Sequence, residues 1–225
     1  MNTNFDSIWN EIRLILKSHP WHGISIGKSA PSIVTAYIEI VPTDTLKYEL
    51  DKQSGYLKID RPQLFSNVCP TPYGFIPQTY CGEKVAELCR EKTGKEIIKG
   101  DNDPLDICVI TEKVITHNDI LLTAVPIGGL RMIDGSEADD KIIAVMHKDS
   151  IFGEWNDISD CPKSLIDRIK HYFLTYKEAP GATNRICEIA HVYGREEAYD
   201  VIKRSHNDYL EKYKNLDNLL RSEIV

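Results

Sequence analysis

Three carboxylates fall within six residues around a proline in Gly100-Asp101-Asn102-Asp103-Pro104-Leu105-Asp106, just before the apolar run Ile107-Cys108-Val109-Ile110. Like charges so close together repel and raise one another's pKa unless cations neutralise them. Hard cations such as Mg²⁺ suit all-oxygen sites and keep waters and substrate phosphates as further ligands. The segment therefore has the makings of a metal site on a turn that enters a buried strand. Aspartate is also common in turns on its own merits, and taken alone the segment favours a solvated acidic turn.

Other residues bear on the choice. Asp134-Gly135-Ser136-Glu137-Ala138-Asp139-Asp140-Lys141 is a second acidic turn, which in isolation reads as a hydrophilic hairpin. Glu39 lies in the apolar, aromatic run Ile33–Ile40, where an acid needs a partner or a metal to offset desolvation, although an outward-facing position alongside Tyr37 stays open. In Leu46-Lys47-Tyr48-Glu49-Leu50, alternation puts Lys47 and Glu49 on one strand face, as a solvent-facing pair or the lining of a polar pocket. Arg61 after Asp60, and Tyr176-Lys177 at a helix end, are ordinary by themselves. Two acidic turns at one end of a small barrel, with inward-capable glutamates, would converge on a site for several divalent ions.

The elements that must position these groups are mostly short strands. Residues 33–40, Leu46–Leu50 and Tyr56–Asp60 are β-branched, aromatic or alternating, and further strands are expected at Ile107–Ile110, Leu121–Pro126, Gly129–Ile133 and Lys141–Met146. Their density predicts an α+β fold with a mainly β core, a small closed or nearly closed barrel. An amphipathic helix is expected from the N-terminus through Lys17, and residues 80–99 read as a mostly polar surface loop. The C-terminal third reads as helical: one helix after Pro162, another from about Arg195, then a charged tail that frays from Lys212 onward. With no internal repeat or flexible linker, residues 1–225 are expected to form a single domain.

Composition narrows the classes. With 225 residues, 42% apolar and 27% charged, the chain is of ordinary globular type. A net charge of −7 argues against a general binder of nucleic-acid backbones. No segment has the length to span a bilayer and the polar N-terminus lacks a signal-peptide core, so the expected compartment is the cytoplasm, with no membrane partner. The six cysteines contain no Cys-x-x-Cys pair, and neither they nor the seven histidines stand at zinc-ligand spacing; free buried thiols are expected.

In its motifs the chain resembles the soluble family I inorganic pyrophosphatases. The signature D-x-D-P-x-D stands as Asp101–Asp106. Ile38-Glu39-Ile40, Lys47–Lys52, Asp60-Arg61, Tyr73–Thr79, Lys141–Val145 and Tyr172–Lys177 also fit, in order, so the resemblance covers about residues 33–177. It implies an OB-like five-stranded β-barrel with flanking α-helices, and hydrolysis of pyrophosphate to two orthophosphates by a metal-activated water. Three to four Mg²⁺ per site are implied, with Mn²⁺ or Zn²⁺ as substitutes. By position, Asp101, Asp106, Asp134, Asp139 and Glu39 match metal ligands, and Asp103 matches the general base. Lys47, Arg61, Tyr176 and Lys177 match the residues that grip phosphate. Tyr73 matches a phenol within the carboxylate cluster, and Glu49 and Lys141 complete the polar shell. Seven carboxylates against four cations would leave this site at −3, to which pyrophosphate adds about −3 to −4, so several divalent ions are required.

The chain departs from the family pattern where Cys69 replaces the tyrosine of many bacterial members, and in the longer 80–99 connection and the terminal extensions. The family includes hexamers and dimers, so a homo-oligomer is implied. Two rivals remain at this point. One is a metal-dependent hydrolase of nucleoside di- or triphosphates or of polyphosphate, which needs a place to hold a base. The other is a non-catalytic OB-like binding protein, which predicts a basic groove with exposed aromatics.

Overall fold

A computed structural model of the chain describes residues 17–178 and 186–214. The helix expected up to Lys17 lies, apart from Lys17 itself, outside the described residues, as does the tail beyond residue 214.

Five strands close into a ring. β1 (Val34–Ile40) pairs with β4 (Tyr73–Phe75), β4 with β6 (Asp106–Ile110), β6 with β9 (Lys141–Met146), β9 with β7 (Ile120–Asp134), and β7 returns to β1. Closure removes the exposed sheet edges that these β-branched segments would otherwise present. This is the OB-like barrel expected. β4 is admitted to the ring because it carries Gly74: opposite Ile38, a Cβ there would stand 1.9 Å from the Tyr37 carbonyl oxygen. β2 (Leu46–Leu50) and β3 (Leu57–Pro62) form a separate two-stranded ribbon. Short strands β5 (Lys99–Gly100) and β8 (Glu137–Ala138) pair beside the two acidic turns.

The helices cover both faces of the strands. Ile107, Val109, Ile142 and Ala144 join a core with α1 (Glu83–Thr93) and α3 (Arg195–Lys212), through residues such as Val85, Leu88, Val201 and Ile202. The alternate residues Cys108, Ile110, Ile143 and Val145 pack with Ile166, Ile169, Tyr172 and Phe173 of α2 (Lys163–Thr175). This is the period-two division of a strand buried on both faces.

Three expectations need correction. Residues 80–99 are not simply a surface loop: they contain α1, whose Val85, Ala86, Leu88 and Cys89 are buried. Its other positions are so polar that the apolar stripe is short, confined to residues 85–89, and its N-terminus is capped from elsewhere in the chain. The segments Leu121–Pro126 and Gly129–Ile133 are one 15-residue strand, β7, because a register shift between Pro126 and Gly128 absorbs the apparent break. The C-terminal third is not wholly helical, since β10 (Cys187–Gly194) pairs antiparallel with the second half of β7. All six cysteines are free and buried.

Candidate active site

Because β6 and β9 run parallel with Asp106 opposite Lys141, an acid and a base are placed side by side on adjacent strands. Lys141, 2% exposed, donates to Asp106 Oδ2 at 2.5 Å and to Asp139. Tyr73 enters from β4 and donates its hydroxyl proton to the same Asp106 oxygen at 2.6 Å. Asp134 ends β7 and pairs with Lys177, which follows α2. Register in the outlying ribbon sets Lys47 opposite Arg61. Lys47 donates to Glu49, its same-face neighbour, and to Asp60 at 3.1 Å, and Asp60 also accepts from Arg61 at 2.5 Å. The Arg61 guanidinium and the Lys177 ammonium lie 5.8 Å and 5.3 Å from the Tyr176 ring centre.

These groups border one open cavity of about 410 Å³. All the residues singled out in the sequence line it: Glu39, Lys47, Glu49, Arg61, Tyr73, Asp101, Asp103, Asp106, Asp134, Asp139, Lys141, Tyr176 and Lys177. Residues of both acidic turns thus share one cavity. Glu39 is not outward-facing. It is buried, and its Oε1 accepts the Leu50 N–H at 2.6 Å, which ties the ribbon to β1. Asp103 is half-exposed at the mouth and paired with Lys52.

Sequence reasoning passed over Lys52, Asp60 and Glu137 as site residues, although all three line the cavity. Asp60 and Lys52 stand inside the motifs that carry the resemblance, and Asp60 falls at the register shift between Ile59 and Arg61, which only the strand pairing reveals. Lys52 reaches Asp103 only through the packing of the ribbon on the barrel, which no local pattern reports.

Among the described residues, nine carboxylates and five cations line the cavity, a formal charge of −4. The consequences show in the acids. Burial, reinforced by the charge of Asp139, pushes Asp101 up to about 9. Burial pushes Glu39 to about 8 despite its bond from Leu50. Asp106 is raised by burial even with Lys141 beside it. Burial works against charge on Lys141, yet the carboxylates of Asp106 and Asp139 outweigh it and hold the ammonium well above its ordinary value. Burial raises the phenol of Tyr176 to about 12, so it is a neutral hydrogen-bond donor at neutral pH.

The residues fit hard divalent cations. The donors are carboxylate oxygens, and nine carboxylates against five cations leave negative charge uncompensated in the lining. Among the described residues no three His, Cys, Asp or Glu side chains form a ready-made cage. A cation that keeps waters and phosphate oxygens in its shell needs only one or two carboxylates from the wall.

A closed barrel carrying an anionic, oxygen-lined cavity ringed with lysine, arginine and tyrosine defines the class of metal-using phosphoryl hydrolases. Residues 36–210 match the inorganic pyrophosphatase family, and the chain belongs to that family. It is 55% identical over 200 residues to an inorganic pyrophosphatase of Chlamydia caviae, covering 87% of this chain and 92% of that protein. With an inorganic pyrophosphatase of Chlamydia muridarum it shares 52% over 195 residues, covering 85% and 93%. The crystal structure of an inorganic pyrophosphatase from Thermus thermophilus superposes with a TM-score of 0.71 at 26% identity, covering 86% of this chain and 99% of that one. No helix among the described residues is long and apolar enough to cross a membrane.

Proposed function

We propose that the cavity hydrolyses pyrophosphate to two orthophosphates by direct attack of water, with Asp103 as general base and three to four Mg²⁺ as cofactors. The observation that carries this reading is the −4 lining around phosphate-binding cations, which suits a polyanionic substrate only when several divalent ions enter with it. Bound Mg²⁺ would acidify the attacking water and screen the charge of substrate and leaving group. The chain's own residues do the rest. Asp103, half-exposed beside Lys52, takes the proton of the incoming water. Lys47, Arg61 and Lys177 donate to phosphate oxygens, joined by the neutral Tyr176 hydroxyl, whose ring lies beside Arg61 and Lys177. Asp101, Asp106, Asp134, Asp139 and Glu39 would hold the ions, Glu49 shapes the lysine side, and Lys141 with Tyr73 keeps Asp106 oriented. No step calls for a covalent intermediate, and the buried cysteines stay out of the chemistry.

The same reading makes the chain one domain, in the cytoplasm, where six buried free thiols are stable. Assembly as a homo-oligomer, hexamer or dimer, rests on the family resemblance. Purified protein is expected to release phosphate from pyrophosphate with Mg²⁺, to stop when the metal is chelated, and to turn over ATP at least about a hundredfold more slowly. Absence of release with either Mg²⁺ or Mn²⁺ would overturn the reading. Equal turnover of ATP would favour the nucleotide hydrolase instead.

A further inference from the structure

α1 begins behind Gly82, which has no side chain to cap it. The leading N–H groups of a helix need acceptors, and here they find one on α3. The Asp208 carboxylate, 6% exposed, accepts from the N–H groups of Gly82 at 3.1 Å, Lys84 at 3.0 Å and Val85 at 3.3 Å. The approach is so close that a Cβ on Gly82 would lie 3.0 Å from the Asp208 carboxyl carbon. α3 grips the same strap of chain, residues 78–85, at two more points. The Tyr80 N–H donates to the Ser205 carbonyl at 2.9 Å, and His206 Nδ1 bonds the Gln78 carbonyl at 2.7 Å.

The other edge of the strap holds the signature turn. The Cys81 N–H donates to the Asp103 carbonyl at 2.8 Å, and the Asn102 N–H donates to the Cys81 carbonyl at 3.1 Å. The Tyr80 hydroxyl donates to the Asn102 side chain. Gly100 packs so tightly that a Cβ there would stand 2.1 Å from the Cys81 oxygen. Asn102 is held at φ +67, and the Asp103 N–H closes the turn onto Asp101 Oδ1 at 2.9 Å. The directions of Asp101 and Asp103 are therefore set by a turn pinned to the strap, and the strap is pinned to α3.

We propose that Asp208 is a positioning residue for the active site: by capping α1 and anchoring the strap, it sets the geometry of the turn that carries Asp101 and Asp103. The proposal rests on the functional reading above. Without the carboxylate, three N–H groups at a packed helix end lose their acceptor. The strap relieves that loss by shifting, and the two backbone bonds of Cys81 carry the shift into the turn.

The test uses the full chain with Asp208→Ala and Asp208→Asn, and with Val201→Ala as a buried α3 control. Amide hydrogen exchange over residues 100–106 is measured without metal, together with kcat, KM and the Mg²⁺ concentration giving half activity. For Asp208→Ala we expect exchange to rise and kcat to fall about tenfold, the Mg²⁺ midpoint to rise, and KM to move less than about twofold. Asp208→Asn keeps an acceptor oxygen and recovers part of each change. Val201→Ala lowers Tm without these shifts. Asp208 variants that lose Tm as the control does, with exchange, kcat and midpoint at wild-type values, would overturn the proposal. Should Asp208→Ala fail to fold, Asp208→Asn decides by the same readouts. Inactive wild-type protein would refute the functional reading, while exchange in the metal-free chain would still decide the positioning role.

Discussion

Asp139 and Asp140 are adjacent in the chain yet enter opposite kinds of electrostatic environment. Asp140 is fully buried against Arg131 at 2.8 Å, itself without exposure, and accepts the Tyr193 hydroxyl at 3.0 Å; Arg131 also donates to Glu197 at 2.7 Å. Burial raises Asp140 only to about 6, because Arg131 opposes it. Asp139 lines the cavity, where the neighbouring Asp101 is driven higher by burial and by the charge of Asp139 itself. On one side of this link between β8 and β9 the buried acid faces a buried arginine. The other leaves a surplus of negative charge facing open space. Matched charge serves architecture, whereas an unmatched surplus stores an affinity that only incoming cations satisfy.

The comparison breaks most visibly on the cavity side. If Asp103 is the base, as proposed, Asp103→Asn is expected to lower kcat by about 10²- to 10⁴-fold with unchanged far-UV circular dichroism and Tm. Turnover near wild type would move the base elsewhere. On the closed side the effect should appear in stability. Arg131→Met strands a buried carboxylate and should cost about 3–5 kcal/mol in denaturant unfolding, whereas Arg131→Met/Asp140→Leu should recover most of that loss. A double variant no more stable than the single one would show that the network does more than neutralise itself.

The smallest expected effect concerns an acid satisfied by hydrogen bonds rather than by a countercharge. Burial opposes ionisation of Asp149, but N–H groups of Phe152, Glu112 and Ile151 and the Thr111 hydroxyl outweigh it and hold the carboxyl down at about 2. A depressed acid stabilises the fold above its unfolded pKa, near 3.9, and the contribution is lost as pH falls toward 2. Asp149→Asn should therefore destabilise by about 1 kcal/mol at pH 7. Its thermal-unfolding curve should converge with that of the wild type between pH 4 and 2. A gap that stayed constant with pH would remove ionisation from the explanation.

Much of the site was legible because its chemistry is local. Asp101, Asp103 and Asp106 lie within six residues, Lys47 and Glu49 share a face by alternation, and the β-branched runs marked the barrel strands. α1 was harder to read because its apolar stripe is short and its cap, Asp208, lies 126 residues from Gly82. β10 was hidden in a region read from its helices, and β7 from its Pro126–Gly128 bulge.

The sequence by itself determined the strand-rich architecture, the family and a set of residues that line the cavity, since residue type and short-range period carry that information. Only the tertiary structure decided that two acidic turns share one cavity, that Glu39 is buried under the ribbon, that Lys52 faces Asp103, and that α3 props the signature turn. Those facts depend on contacts between segments far apart in the chain. Their free energy comes from burial and pairing, which no window of neighbouring residues contains.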